Sequence, residues 1–183
     1  MSGFQIGDGK GSGGGNWQMK ANRGQIDADI HTALEEHSEK GDAYVWHAVT
    51  YSYTGADTLM GIRNTHPTKL LHIDKIIVSS QVATQIQLHM TEGSAALAGT
   101  LVTGFNLNGA SGNVAQADAR VDETTNSSQG TRITTFEVVA LTMFEFNFEG
   151  SLILKLNDAL GIDGVDAGTS FELSVFGFYN DPR

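Results

Sequence analysis

The side chains that could do chemistry are sparse and scattered along the chain. Six histidines are present, and two of them, His72 and His89, fall in stretches that read as strands, so they could meet across a sheet. A cupin-like metal site needs several His and a carboxylate converging inside a barrel. No H-x-H or H-x-x-x-H spacing occurs here. His89 also shares the polar face of its segment with Gln85 and Gln87, which reads as a solvated histidine. The acid pairs Asp122-Glu123 and Asp163/Asp166 have the chemistry of general acids and bases or of calcium ligands. None has the Gly and Asp spacing of an EF-hand, and loop carboxylates in an acidic chain are most often simply solvated.

Gly9, Gly11 and Gly14 formally satisfy G-x-G-x-x-G. A dinucleotide loop needs a strand before it and a helix after it, and neither is readable here. A phosphate loop of Walker type needs Gly-Lys followed by Ser or Thr, whereas Lys10 is followed by Gly11. No G-x-S-x-G elbow selects a nucleophilic serine. There is no cysteine, so disulfides, thiolate metal sites and cysteine nucleophiles are excluded. Trp17, Trp46, Tyr51, Tyr53 and Tyr179 could form a sugar-stacking platform. The competing reading places Trp46 in the core and the tyrosines at strand edges with wet hydroxyls. The sequence thus points to no enzyme, no cofactor and no metal.

Charge narrows the partners. The net charge is −10, from 11 Lys and Arg against 21 Asp and Glu. Nucleic-acid affinity comes largely from clustered basic residues that release counterions. Here they are dispersed, and from Glu137 to Asp181 Lys155 is the single basic residue among eight acidic ones. No apolar run approaches a membrane span, and the first residues lack the pattern of a signal peptide. The expectation is a soluble protein made in the cytoplasm, binding neither nucleic acid nor membrane.

The elements that must position any site divide the chain in two. Residues 1–41 read as an arm. Seven of the first fifteen residues are Gly, too little apolar surface to offset the backbone entropy of ordering. Phe4, Ile6 and Trp17 punctuate that arm and are candidate anchors for a neighbouring subunit or partner. Ile30–Lys40 is the one helix candidate, with Gly41 placed as its C-cap. Residues 42–183 read as short strands separated by turns. Ile86, Leu88 and Met90 alternate with Gln85, Gln87 and His89. Phe144, Phe146 and Phe148 alternate with Glu145 and Asn147. Phe171, Leu173 and Val175 form a third inward set, with Gly177 continuing it. Period two marks half-buried antiparallel strands. Expected strands include Tyr44–Tyr53, Thr58–Asn64, Lys69–Ser79, Ala83–Thr91, Thr100–Gly104, Val114–Val121, Thr131–Val138, Thr142–Phe148, Ser151–Lys155, Ala159–Ile162 and Ser170–Tyr179, with Glu149-Gly150 among the turns. Without intervening helices these predict an all-β antiparallel, jelly-roll-like sandwich with an extended Gly-rich N-terminal arm and at most one short helix. Asn106–Gly130 is the one long irregular segment, of the kind that carries binding loops.

Several passages go beyond composition. RGQIDADI (Arg23–Ile30), GDAYVW (Gly41–Trp46), LMGIRNTHPTKLLHIDKIIVSS (Leu59–Ser80), FNLNGASGNVAQADARVDE (Phe105–Glu123), SLILKLNDALGI (Ser151–Ile162) and FELSVFGFYND (Phe171–Asp181) resemble, in this order, small structural proteins of tailed bacteriophages. The resemblance implies a virion protein: a capsid decoration or cement protein that contacts the major capsid protein and copies of itself, as a homo-oligomer and most often a trimer. The alternative it leaves open is a tail or fibre component whose loops bind a host glycan or receptor. It transfers no functional residue.

Overall fold

A computed structural model of the chain describes residues 32–51, 58–123, 130–165 and 170–182. The chain divides into two units, Met1–Thr32 and Ala33–Arg183, and the first lies outside the described residues except for Thr32. The second unit begins with helix α1 (Ala33–Glu39) and continues as β1 (Ala43–Tyr51), β2 (Thr58–Asn64), β3 (Leu70–Ser80), β4 (Thr84–Thr91), β5 (Thr100–Leu101), β6 (Gly104–Asn106), β7 (Ala117–Glu123), β8 (Thr131–Val138), β9 (Met143–Leu154), β10 (Ala159–Gly164) and β11 (Ser170–Asn180). Gly41 follows α1 at φ 75°, the left-handed conformation that ends a helix at little cost when no Cβ is present. The expected boundary at residue 41 therefore sits C-terminal to a helix that packs on the strands.

The strands form two antiparallel sheets in the orders β6-β1-β11-β3-β9 and β5-β7-β2-β10-β4-β8. Their pairings are nested: β4 with β8, β3 with β9, β2 with β10 and β1 with β11. This is one long hairpin of four strand pairs, rolled so that β11 also meets β3 and β10 also meets β4. Such a rolled hairpin is a jelly roll, and the expected architecture is the one observed. The segment between β4 and β8 is the tip of that hairpin. It turns back so that β7 extends one sheet beside β2 and β6 extends the other beside β1.

The core lies between the sheets. Trp46, Leu59, Ile62, Ile73, Ile76, Ile86, Leu88 and Phe171 are all buried there, and period two in each strand delivers them. One strand breaks the period. Leu71 and Ile73 face inward at odd positions of β3, whereas Ile76 and Val78 face inward at even ones. The change of parity occurs at Asp74. It is the extra residue between Ile73↔Gly177 and Lys75↔Phe176 on the β11 side; on the β9 side, between Ile73↔Leu152 and Lys75↔Asn147, it is β9 that carries the excess, Phe148 to Ser151 against Asp74 alone. A bulge of this kind bends a strand and re-aims its side chains.

Three expected boundaries change. Thr142–Phe148 and Ser151–Lys155 are a single strand, β9, because Glu149 and Gly150 at φ 52° and 72° make an irregularity within it and not a turn. Thr100–Gly104 splits into β5 and β6, each pairing with a different sheet. Val114–Val121 shifts to Ala117–Glu123, because Asn113 to Gln116 belong to a loop built by side-chain hydrogen bonds.

Candidate interaction surfaces

That loop is the first of three surfaces with a defined build. The Gly41 carbonyl accepts from Asn106 Nδ2 at 2.8 Å and from Asn113 Nδ2 at 3.2 Å. Asn106 Oδ1 accepts from the Asn108 amide and Asn108 Oδ1 from the Ala110 amide. Short amide side chains thus supply main-chain partners that a regular ladder would otherwise give. The loop is fixed to the end of α1, with Phe105 and Val114 left exposed.

A polar recess of about 200 Å³ lies where β1 begins and β11 ends. Lys69 Nζ donates to Asp42 Oδ2 at 3.0 Å across it. His66 Nδ1 accepts from the Thr68 and Lys69 amides, which fixes its proton on Nε2. Burial, and then the charge of Lys69, lower the pKa of His66. Tyr179 lines the same recess and is buried, as is Tyr44. Burial drives the Tyr179 phenol strongly upward, with the nearby Tyr44 adding to the shift. The expectation of a wet hydroxyl at Tyr179 is therefore overturned: the strand end is covered by the ring of His66, 5.3 Å away, and the edge of Tyr44. Trp46 is in the core, as one reading had it, while Tyr53 and the side chain of Tyr51 lie outside the described residues.

The third surface is apolar. On the outer face of the β1–β11–β3–β9 sheet, α1 covers one half: the His37 ring stacks on Phe178, which stacks in turn on His72. Among the described residues no element covers the other half. Val139, Leu141 and Met143 at the β8–β9 connection are 64%, 82% and 73% exposed. Leu141 and Met143 border a groove of about 540 Å³ lined also by Ile77, Ser79 and Ser174. Apolar side chains clustered and bare on a surface mark a protein contact more often than a random exposed leucine does. In the sequence this connection is the gap between the expected strands Thr131–Val138 and Thr142–Phe148. The signal was the run Val138-Val139-Ala140-Leu141, apolar where a turn would carry Gly, Asn or Asp. Behind the connection, Phe136 of β8 stacks on Phe144 at 4.7 Å, and Phe146 lies 4.7 Å from Phe148. These rings are only partly buried at the open edge of the sandwich.

The titratable candidates do not converge. His72 is on β3 and His89 on β4, in different sheets, so they do not meet. His72 Nδ1 donates to the Gly150 carbonyl at 2.8 Å. His89 faces Gln87 and Asp163, with Nε2 3.2 Å and 3.4 Å from their oxygens, and the Gly130 carbonyl at Nδ1. It is on the predicted polar face but largely covered, which corrects the reading of it as solvated. Asp122 is exposed near the end of β7, and Asp166 lies outside the described residues. So do the arm anchors Phe4, Ile6 and Trp17. Among the described residues no three His, Asp or Glu side chains group as a metal site, and no helix is long and apolar enough to cross a membrane.

Comparison with known proteins finds no family model that matches the chain and no matching curated protein. Among solved structures the chain is similar to one described as "KBV activated particle at acidic pH", at 11% identity and TM-score 0.28, over 99% of this chain and 81% of that one. It is also similar to a chain of Israeli acute paralysis virus, "heated to 63 degree - full particle", at 12% identity and TM-score 0.23, over 76% of this chain and 66% of that one. Neither description names a bacteriophage.

Proposed function

We propose that this chain is a non-enzymatic structural protein of a virus particle, a decoration or cement protein that stabilises a capsid shell by protein–protein contacts. One observation carries the reading. The jelly-roll sandwich exposes the apolar side chains Val139, Leu141 and Met143 at the β8–β9 connection, two of them beside a groove on one sheet face, surface of the kind that partner proteins cover. The ordered phage-like passages point the same way. A cement protein needs contact area and no chemistry. An arm carrying Phe4, Ile6 and Trp17 suits it, because a segment that orders on binding can wrap a neighbouring subunit. Several such chains in a homo-oligomer gain avidity on a repeating lattice.

The test is co-sedimentation of the purified chain with shells that lack it. The full chain pellets with the shells, and a variant lacking residues 1–20 does not, although its circular dichroism still reports a folded β domain. Equal binding by the truncated variant overturns the arm's role. No binding by the full chain, together with hits on a glycan array, moves the protein to the tail or fibre reading.

A further inference from the structure

The outer edge of β9 has a composition that is complementary to itself. β9 is the outermost strand of its sheet among the described residues. An outermost strand presents a row of unpaired main-chain donors and acceptors, and proteins normally blunt such rows. Here the blunting device is the irregularity at Glu149 and Gly150, which leaves Met143–Asn147 paired to β3 in regular register on its inner side, with Phe148 next along the strand. Around it the strand reads Phe144-Glu145-Phe146-Asn147-Phe148, which is symmetric about Phe146 in size and polarity.

From this the geometry points to a specific partner: a second copy of the chain, pairing antiparallel through β9 with the two-fold axis at Phe146. In that register Phe146 faces its own counterpart, Phe144 faces Phe148, and Glu145 faces Asn147. The alternatives are worse. An axis at Glu145 sets two Glu145 carboxylates opposite each other, and an axis at Asn147 sets Glu145 opposite Glu149. Half-step registers turn the phenyl face of one copy against the glutamate face of the other, because side chains alternate. Like charges directly opposite are destabilising and aromatic pairs stabilising, so the axis at Phe146 is favoured. Glu145 is partly neutralised within its own copy by Lys75, 3.6 Å away, which permits approach in a chain of net charge −10. The partly buried rings of Phe136, Phe144, Phe146 and Phe148 then continue from one sandwich into the next. The contact is isologous, so it closes as a dimer. It rests on the sandwich alone and holds wherever in a particle the chain sits.

Sedimentation equilibrium of the full chain, over a concentration series, tests it with two substitutions of opposite sign. Asn147→Asp keeps the oxygen that accepts from the Glu149 amide and sets a carboxylate opposite Glu145 twice per interface. It weakens the dimer by about tenfold, and less at high salt. Asn147→Lys sets an ammonium opposite Glu145 and strengthens the dimer. Misfolding would weaken both, so opposite shifts separate the register from a general defect. A wild-type chain that stays monomeric overturns the inference, as does assembly only as a trimer, or a dimer that both substitutions leave unchanged. None of these outcomes bears on shell binding, which co-sedimentation reads separately.

Discussion

The imidazole of His37 lies flat on the phenyl ring of Phe178, with centroids 4.4 Å apart and planes 17° from parallel. This contact brings the one described helix onto the sandwich. Its other side is His72, stacked on the same ring at 5.0 Å. Phe178 is therefore buried between two histidines on what is formally the outer face of its sheet.

The stack makes helix docking depend on pH. Burial lowers the pKa of His37, with Lys40 and His72 adding to the shift and Glu36 and Asp42 opposing it. The docked state thus favours the neutral ring. The stabilisation is present above the ordinary value near 6.5 and is lost as pH falls through the lower, docked value. Amide exchange in Ala33–Glu39 should accelerate on acidification from pH 7.5 to 5, with the strands unaffected. His37→Phe should abolish that dependence. Unchanged helix exchange across this range would show that the stack does not control docking.

Asp74 should be a stability liability at neutral pH. Burial raises its pKa, with Glu145 and Glu149 adding to the shift and Lys75 opposing it. A carboxyl raised in the fold contributes stability at pH values below its unfolded pKa and loses it as pH rises through the folded one. Asp74→Asn should raise the thermal midpoint at pH 7, and the gain should vanish near pH 3. A lower midpoint at pH 7 would mean that the bulge needs the charge.

Asn64 should be among the costliest polar side chains to remove. It is fully buried. Its amide donates to the Lys69 and Leu154 carbonyls at 3.0 Å and 2.9 Å, and its oxygen accepts from the His66 amide at 2.9 Å. Asn64→Ala should cost about 3 kcal/mol, because each main-chain group left bare is expensive. Urea denaturation measures it, and a loss under about 1 kcal/mol would show that water replaces the amide.

Gly104 should tolerate no side chain. A Cβ there would sit 2.6 Å from Trp46 Nε1 and 2.7 Å from the Ala115 Cβ. Gly104→Ala should cost about 1–3 kcal/mol by overpacking, whereas Gly109→Ala, with nothing within 4 Å, should be near neutral. Equal midpoints for the two variants would contradict the close approach of β6 to Trp46.

The fold was legible where period two ran unbroken. β2 and β8 fall on their expected residues, and the Phe144, Phe146 and Phe148 face is as read. It was illegible where backbone geometry overrides alternation. Nothing in LLHIDKIIVSS marks Asp74 as a bulge, since both parities of that run are apolar. Glu149-Gly150 has turn composition, yet it sits inside a strand because β9 pairs with β3 on both sides of it, at Met143–Asn147 and at Leu152–Leu154. Tyr179 reads as amphipathic, but its burial depends on His66 and Tyr44, brought from distant parts of the sequence. The apolar surface was hidden for the opposite reason: Leu141 looks like core in a sequence, and only the topology puts it outside.

The central claim is a structural role in a virus particle, and copy number tests it most directly. Quantitative mass spectrometry of purified parent particles should count this chain in numbers comparable to the major capsid protein. A few copies per particle would favour a vertex or tail position over a shell-wide one. Complete absence from particles would contradict the account.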